Sequence, residues 1–265
     1  MNEDAAMLNS ASLDVEISAG IPIAASSAMR ATPRDMKTCS TCSMRTACLP
    51  SGAEGNALCE LDSLVYARKR VRRGEHLYYA GDTFKSIYAF RTGFFKSYVD
   101  TSDGQSRVIG FPMAGDVVGL DGIANGEYQR SVIALDDGET CVIPYAHFQS
   151  LAARSPAIQH QLHKVMSREI IQEQVVMAML AGMRAEPRVA SFLMTLSQKF
   201  ATRGYSRTEF RLRMTREEIG SYLGLKLETV SRALSRFQEL GLIKANLRSI
   251  AIVNIRGLES VTSDC

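Results

Sequence analysis

The segment 214–237 constrains the fold more than any other part of the sequence. Thr215 followed by Glu218 is a capping box, in which each side chain accepts a hydrogen bond from the other residue's backbone at a helix start. Gly220 lets a second helix approach closely, and Gly224 supplies a turn. The pattern predicts two short helices joined by a tight turn.

The second of these helices has an apolar face and a polar face. Apolar residues recur at helical spacing and form the inner faces of both helices: Ile219, Leu223, Val230, Leu234 and Phe237. The opposite face of the second helix carries Glu228, Ser231 and Arg232. Arginine can bond guanine O6 and N7 in the major groove, glutamate accepts from cytosine N4, and serine serves several bases. This face is predicted to read DNA, and the alternative is an ordinary helical hairpin with a charged surface.

The distribution of charge favours the same function. Residues 184–248 contain 13 Lys and Arg against 6 Asp and Glu, a net charge of +7, which leaves −4 for the rest of a chain whose net charge is +3. A basic C-terminal module on an acidic body indicates a polyanionic partner, with DNA the first candidate.

Residues 249–255 are predicted to form a strand of a wing beside the helices.

Residues 65–153 show a different pattern of apolar residues and turn signals. Glycine-centred turn signals separate short apolar runs at intervals of about ten residues, which is typical of an antiparallel β sandwich or barrel. The turn glycines are Gly74, Gly81, Gly93, Gly104, Gly115, Gly126 and Gly138. We therefore predict a jelly-roll-like sensor domain. Residues 1–35 show no sustained period and are predicted to be a mobile tail.

A long helix is predicted between these two regions. Ser155 and Pro156 form a helix start, and periodic sequence continues to about Arg184. A heptad-like seam recurs at spacings of four, three, four and three residues: Met166, Ile170, Glu173, Met177 and Leu180. The seam predicts a homodimer in which two Glu173 carboxylates approach each other across the two-fold axis and weaken the pairing. The alternative is one long helix packed on its own barrel.

Three cysteines form a C-x2-C-x5-C array at Cys39, Cys42 and Cys48, while Cys59, Cys141 and Cys265 are isolated. Clustered thiols in a reducing compartment indicate binding of a soft metal rather than disulfides, with a fourth ligand from elsewhere in the chain. On spacing alone, an iron–sulfur centre and a zinc site fit about equally.

Other classes of protein are less well matched. No apolar stretch is long enough to span a membrane, and Glu3 and Asp4 stand where a secretory signal would carry lysines. The expected location is the cytoplasm. The sequence has no catalytic Ser/His/Asp set and no glycine-rich phosphate loop, so neither an enzyme nor an electron carrier is expected.

Several segments resemble the FNR branch of the cyclic-AMP receptor superfamily over about residues 39–255. The matching segments are 79–82 (YAGD), 110–119 (GFPMAGDVVG), 141–144 (CVIP), 203–206 (RGYS), 209–212 (EFRL) and 227–232 (LETVSR). The resemblance implies an α+β protein: a cyclic-nucleotide-binding-like β jelly roll, a long dimerisation helix and a winged helix-turn-helix. It also implies a cytoplasmic, oxygen-sensing transcription activator that binds a two-fold symmetric DNA site and works with RNA polymerase.

The same resemblance implies that Cys39, Cys42, Cys48 and Cys141 hold a [4Fe-4S] cluster, and that Glu228, Ser231 and Arg232 recognise each half-site. Cluster loss would then release DNA. The predicted regions are a tail (1–35), a cysteine segment with the sensor domain (36–154), a dimerisation helix (155–185) and a DNA-binding domain (186–265).

The nucleotide-binding relatives provide the alternative. They place a ribose-binding carboxylate where this chain has Leu120, although Arg130 and Ser131 resemble their phosphate-binding pair. A buried ribose hydroxyl without its partner costs about 1–3 kcal/mol, which disfavours a cyclic nucleotide. A regulator gated by a cyclic nucleotide or another small effector, with zinc at the cysteines, is the runner-up.

Overall fold

Eight antiparallel strands form two four-stranded sheets and confirm the predicted β domain. The computed structural model of the chain describes residues 38–65 and 67–263, so the predicted tail (1–35) and Cys265 lie outside it. The strands are β1 (Ala67–Val71), β2 (His76–Tyr78), β3 (Ser86–Thr92), β4 (Phe95–Asp100), β5 (Ser106–Gly110), β6 (Val117–Val118), β7 (Ser131–Ala134) and β8 (Gly138–Pro144). The sheet orders are β1-β8-β3-β6 and β2-β7-β4-β5.

A core between the two sheets forms because alternate residues of each strand point inward. Its buried members include Val71, Leu77, Tyr78, Phe90, Phe95, Tyr128 and Val132. Gly93 shows why the predicted turns need glycine. Its φ is +94°, and a Cβ there would lie 2.7 Å from the Cα of Gly138. The two turns therefore touch backbone to backbone.

Three helices cover the outer face of the first sheet: α1 (Asn56–Leu64), α2 (Tyr145–Ala152) and α3 (Pro156–Gly182). Leu61, Phe148 and Ile158, one from each helix, are buried with Ile87 and Ile143 of the sheet. Burying such side chains contributes about 1.5–3 kcal/mol each. This packing fixes the start of α3 to the β domain.

The long helix begins and ends close to the predicted positions. Pro156 occupies its first turn, as expected, but the Ser155 side chain makes no capping hydrogen bond to the helix. Gly182 is the last helical residue, two positions before the predicted end at Arg184. The backbone N–H of Met183 donates to the Met179 carbonyl and closes the final turn.

The C-terminal unit combines helices with a three-stranded sheet of order β10-β11-β9. Its elements are α4 (Ala185–Ala201), β9 (Glu209–Arg211), α5 (Arg216–Leu223), α6 (Leu227–Glu239), β10 (Ile243–Asn246), β11 (Ser249–Ile252) and α7 (Ile255–Ser263). The predicted wing strand over 249–255 is thus too long at its C-terminal end. Ile255 instead starts α7, whose Leu258 is fully buried in the core of this unit.

The C-terminal unit packs directly on the β4–β5 hairpin. Lys96 Nζ lies 2.9 Å from Glu218 Oε1, and the Val108 backbone N–H donates to Ser221 Oγ at 3.0 Å. The Phe111 and Tyr222 rings meet edge to face, 5.4 Å apart. None of the helices within the described ranges has the length and apolarity needed to cross a membrane.

Candidate DNA interface and cysteine site

The capping box at the start of α5 forms as predicted. Thr215 Oγ1 accepts a hydrogen bond from the Glu218 backbone at 3.1 Å, and Glu218 Oε2 accepts one from the Thr215 backbone at 2.7 Å. These bonds satisfy two backbone donors and stabilise the helix start by about 1 kcal/mol. Because Glu218 also contacts Lys96, the cap helps to hold α5 on the β domain.

The turn between α5 and α6 depends on two glycines. Gly224 adopts the left-handed conformation, with φ +64° and ψ +35°, and ends α5. A Cβ on Gly220 would lie 2.6 Å from the Leu225 carbonyl oxygen. The close approach expected at Gly220 is therefore to the connecting turn rather than to the second helix.

The predicted base-reading face of α6 is accessible. Val230, Leu234 and Phe237 are buried, whereas Glu228 and Arg232 are exposed on the opposite side. Ser231 is half-buried, and its Oγ lies 3.2 Å from Nη1 of Arg216. An exposed helix face that carries these side chains has the shape and the donors needed in the major groove of DNA.

A basic groove lies between α6 and the β10–β11 hairpin. We call this hairpin the wing. The lining of the groove includes Arg211, Arg216, Leu227, Leu247 and Arg248. None of the described residues that line it is acidic. Sequence reasoning did not identify these three arginines as one group, because Arg248 is distant in the chain from Arg211 and Arg216 and only folding brings it beside them.

The four cysteines of the predicted ligand set line one cavity. Cys39 opens a short 3-10 turn, Cys42 and Cys48 follow in the same loop, and Cys141 lies on β8. Most of the remaining lining is apolar: Met44, Leu49, Pro50, Leu61, Val65, Ala89, Phe90 and Ile143. Cys59 is exposed on α1 and does not line the cavity.

Local hydrogen bonds shape the cysteine loop. The Cys39 backbone N–H donates to the Asp62 carboxylate on α1. The Cys48 backbone N–H donates to the Met44 carbonyl at 2.9 Å. Met44 and Leu49 are buried, so apolar packing holds the loop against the sheet that carries Cys141.

The surroundings of Cys39, Cys48 and Cys141 favour the protonated form of these three thiols. Burial, with added repulsion from Asp62, Cys141 and Cys42, raises the pKa of Cys39 to about 12. Burial raises the pKa of Cys48 to about 12 as well. The pKa of Cys141 is also raised by burial, although Arg68 opposes the shift. Thiolates therefore need a cationic centre to form here.

Four thiols are the donor set of a [4Fe-4S] cluster and also of a structural zinc site, so the chemistry of the donors fits both groups. Among residues 38–65 and 67–263, the His, Cys, Asp and Glu side chains form no group of three arranged to hold one metal ion.

The residues that resemble a phosphate-binding pair make contacts within the protein. The Arg130 guanidinium lies 3.4 Å from Asp121, 3.6 Å from Glu169 and 3.5 Å from Glu173, measured between nitrogen and oxygen atoms. Ser131 is buried, and its Oγ accepts from the Ala80 backbone at 3.0 Å. A phosphate at Arg130 would have to displace three carboxylates.

Tyrosine rings fill the adjacent interior of the β domain. The Tyr78 and Tyr128 rings stack with centroids 3.9 Å apart, and Tyr88 stacks on Tyr78 at 5.6 Å. Leu120 offers no carboxylate, and the carboxylate of the next residue, Asp121, is paired with Arg130 at 3.4 Å. These contacts disfavour a nucleotide site.

The residues of the predicted dimer seam differ in their exposure in the single chain. Ile170 and Met177 are 52% and 66% exposed, Glu173 is also exposed and Met166 is half-buried. Leu180, in contrast, packs against the core of the C-terminal unit. The exposed apolar strip also includes Ile171 and Val175, which the sequence pattern did not select.

Two protein-family models match most of the described chain. Residues 68–155 match the family model described as a cyclic nucleotide-binding domain. Residues 187–261 match the model described as a Crp-like helix-turn-helix domain.

Curated relatives are similar over most of their length. "Transcriptional regulatory protein btr" of Bordetella pertussis is 43% identical over 86% of this chain and 94% of its own. "Electron transport regulator A" of Shewanella oneidensis is 41% identical over 82% of this chain and 86% of its own. The "Fumarate and nitrate reduction regulatory protein" of Escherichia coli is 40% identical with the same two coverages.

Solved structures share the fold. FixK2 from Bradyrhizobium japonicum has a TM-score of 0.69 and 26% identity over 75% of this chain and 98% of its own. TTHB099, a CRP-family transcriptional regulator from Thermus thermophilus, has a TM-score of 0.60 and 20% identity over 74% and 97%.

Proposed function

Since the chain belongs to the CRP/FNR family of DNA-binding transcription regulators, we propose that it senses oxygen through a [4Fe-4S] cluster held by Cys39, Cys42, Cys48 and Cys141. The relatives are regulators and not enzymes, and this chain is a regulator too. In this proposal the dimer binds DNA when the cluster is intact and releases it when the cluster is lost. We assign the protein to the cytoplasm, where the DNA lies.

One observation carries the proposal: four thiols from two separate parts of the chain line a single, mostly apolar cavity. Thiolates are the preferred ligands of iron–sulfur clusters, and four of them complete a [4Fe-4S] site. When bound, such a cluster supplies a centre that oxygen degrades. Arg45 and Arg91 also line the cavity. Arg91 is ion-paired with Glu139, which offsets its charge, whereas the positive charge of Arg45 favours an anionic, thiolate-ligated group.

The cysteine loop and the long helix share one hydrophobic core. Leu49 follows the last loop cysteine and is buried together with Ile158 at the start of α3. Cys48, Cys141 and Val165 pack at the edge of the same core. A change in the loop therefore alters the packing beneath α3, and α3 carries the proposed dimer seam. We assign sensing to residues 36–154, dimerisation to 155–185 and DNA binding to 186–265.

On DNA, Glu228, Ser231 and Arg232 of each protomer would read base edges in the major groove, and two protomers would read a two-fold symmetric site. Basic residues of the groove would contact phosphates and set the register. Activation of transcription would follow from contact with RNA polymerase.

A regulator gated by a cyclic nucleotide is the second candidate, favoured by the match of residues 68–155 to the nucleotide-binding model. The carboxylates around Arg130 weigh against it. Titration of the purified protein with cyclic AMP tests this candidate, since saturable binding would support it.

Anaerobic purification tests the main proposal. The expected product is a brown protein with about four iron and four sulfide per chain. The matched variant Cys141→Ser should lose the colour and the sulfide, because one of the four thiolates is gone. A colourless parent with one zinc per chain would overturn the proposal.

A further inference from the structure

Residues 113–116, which we call the Gly115 turn, touch the cysteine loop. The turn lies between β5 and β6, and Gly115 has a φ of +90°, in the left-handed region that favours glycine. A Cβ on Gly115 would lie 2.9 Å from the Cβ of Ala47, which directly precedes Cys48 in the loop. The Gly115 backbone N–H donates at 2.7 Å to the carbonyl of Phe90, which lines the cysteine cavity. Because Gly115 has no side chain, the cysteine loop can lie directly on the turn.

The other side of the turn holds Arg203, which follows the end of α4 in the C-terminal unit. Arg203 Nε donates to the Ala114 carbonyl, and Nη2 pairs with the Asp116 carboxylate. Nη1 donates to the Lys199 carbonyl at 2.8 Å. All three guanidinium nitrogens thus have an acceptor, and the side chain is only 5% exposed. Arg203 is therefore a buried cation that joins the turn to the C-terminal unit.

The carboxylate of Asp116 organises this contact. Its Oδ2 accepts from the Met113 backbone N–H at 3.1 Å, which closes the turn, and from Lys199 Nζ at 3.3 Å. Its Oδ1 accepts from Arg203. Removing one partner of a largely buried ion pair leaves the other charge without compensation. The pair therefore holds the turn against the end of α4.

Two segments without an assigned role meet at this contact. Residues 110–119 and 203–206 both belong to the family resemblance, yet neither carries a predicted ligand or base-reading residue. The fold places the two segments against each other and places the cysteine loop on the first. A continuous line of contacts therefore runs from Ala47 through Gly115 to Arg203, and this line stays within one protomer.

We propose that the Gly115 turn relays the state of the cysteine loop to the C-terminal unit of the same protomer. A loop tied to a bound metal centre is held against the turn, and the turn fixes the end of α4 through Arg203. A released loop loosens the turn, and the C-terminal unit then leaves the orientation in which it binds DNA. The proposal rests on the proposed metal site and adds a route to DNA that does not require the dimer to dissociate.

Asp116→Asn tests the link to the C-terminal unit, because it removes the charge with little change in shape. Metal content and dimer fraction should match the parent, while DNA affinity should fall about tenfold, within the usual range of coupling between sites. Asp136→Asn is the matched control. It breaks an ion pair with Arg213 that also joins the β domain to the C-terminal unit but is exposed, so affinity should fall about twofold at most. Unchanged affinity in Asp116→Asn would overturn the proposal.

Gly115→Ala tests the link to the cysteine loop. The new Cβ meets Ala47, and DNA affinity at equal metal content should fall. Gly81→Ala is the control for backbone strain, since Gly81 has a φ of +85° and a Cβ there meets none of the described residues within 4 Å. Adding Ala47→Gly to Gly115→Ala should restore the difference between the two alanine variants. Equal losses in Gly115→Ala and Gly81→Ala would remove the loop from the route.

Amide hydrogen exchange of the full-length protein measures the relay without DNA. The amides of Gly115, Arg203 and Gly204 are all hydrogen-bonded to backbone carbonyls. Removing the metal should speed their exchange about tenfold in the parent, because both segments loosen together. In Asp116→Asn, the amides of Arg203 and Gly204 should exchange fast already and change little on metal removal. Faster exchange confined to the cysteine loop would overturn the proposal. The comparison holds for any bound metal, so a zinc protein would refute oxygen sensing and leave this test valid.

Discussion

Arg130 of the β domain lies 3.5 Å from Glu173 of the long helix, nitrogen to oxygen. Glu173 occupies a predicted seam position between Ile170 and Met177, where two carboxylates would face each other in a dimer. In the single chain this carboxylate has a counter-ion from its own β domain, and Arg130 also contacts Glu169. In a dimer paired along this seam, Arg130 would therefore reduce the repulsion between the two Glu173 carboxylates. The ion pair also ties this part of α3 to the β domain.

The first prediction concerns Glu173→Leu. This change removes the carboxylate and adds apolar contact, so the dimer should form even without the cluster. A tenfold rise in the dimer association constant corresponds to about 1.4 kcal/mol. In aerobic sedimentation, the variant should be more dimeric than the parent.

Arg130→Ala is the matched control for Glu173→Leu. Removing the arginine leaves the Asp121, Glu169 and Glu173 carboxylates without this counter-ion. The change should weaken the anaerobic dimer by about 0.2–1 kcal/mol, because the Arg130–Glu173 pair is partly exposed. The same change in the Glu173→Leu background should have less effect. If Glu173→Leu stays as monomeric in air as the parent, the seam is misassigned.

The second prediction concerns the cysteines. Replacing Cys39, Cys42, Cys48 or Cys141 singly by serine should abolish stable cluster assembly, because each removes one of four thiolates from the shared cavity. Cys59→Ser is the control, since Cys59 is exposed and outside the cavity. Iron and acid-labile sulfide after anaerobic reconstitution provide the measurement. Normal cluster content in a Cys141 variant would remove Cys141 from the ligand set.

The third prediction concerns base recognition by Arg232. Its exposed side chain on α6 can bond guanine in the major groove, so Arg232→Ala should cost about 1–3 kcal/mol on a selected site and relax the preference at one base pair. Titrations against single-base variants of that site measure this. Equal losses on selected and random DNA would indicate a phosphate contact instead.

The fourth prediction concerns the pH dependence of stability at Glu218. Burial acts to raise its pKa, but hydrogen bonds from Lys96 and Thr215 outweigh burial and hold the pKa below its usual value. Because the folded-state pKa of Glu218 is lowered, the ionised carboxylate stabilises the folded protein at pH values above the usual pKa of glutamate. That contribution is lost as pH falls from the usual pKa of glutamate through the lower folded-state pKa.

Glu218→Gln tests this dependence. The variant should lose about 1–3 kcal/mol of unfolding free energy at neutral pH, and the difference from the parent should shrink on acidification. Urea unfolding between neutral and acidic pH measures it. The same substitution at Glu239, which is exposed and forms an ion pair with Arg236 one helical turn earlier, is the control. Identical pH profiles for the two variants would contradict the role of Glu218.

Local chemistry was readable from the sequence, whereas long-range contacts were not. Thr215, Glu218 and Gly224 act within a few residues of each other, so their spacing alone predicted the cap and the turn. The meeting of Arg130 with Glu173 depends on how α3 lies across the β domain, and no local pattern encodes it. The same is true of the way Arg248 meets the other arginines around the wing. The helix α7 was missed because the strand prediction ran on to Ile255, although Ile255, Leu258 and Val261 recur at helical spacing.

The predicted grouping of Cys141 with the loop cysteines came from the family resemblance. The structure then placed all four thiols on one cavity. Spacing in the chain could not separate iron–sulfur from zinc, because it gives no distance between the loop and β8. The ligand assignment itself stays a prediction.

DNA binding by one anaerobic preparation, measured before and after exposure to air, tests the central claim most directly. The selected duplex should be bound tightly by the brown protein, and affinity should fall as the colour and the sulfide are lost. Reconstitution with iron and sulfide should restore both. Unchanged affinity after the colour is gone, or tight binding by a colourless zinc protein, would contradict cluster-gated DNA binding.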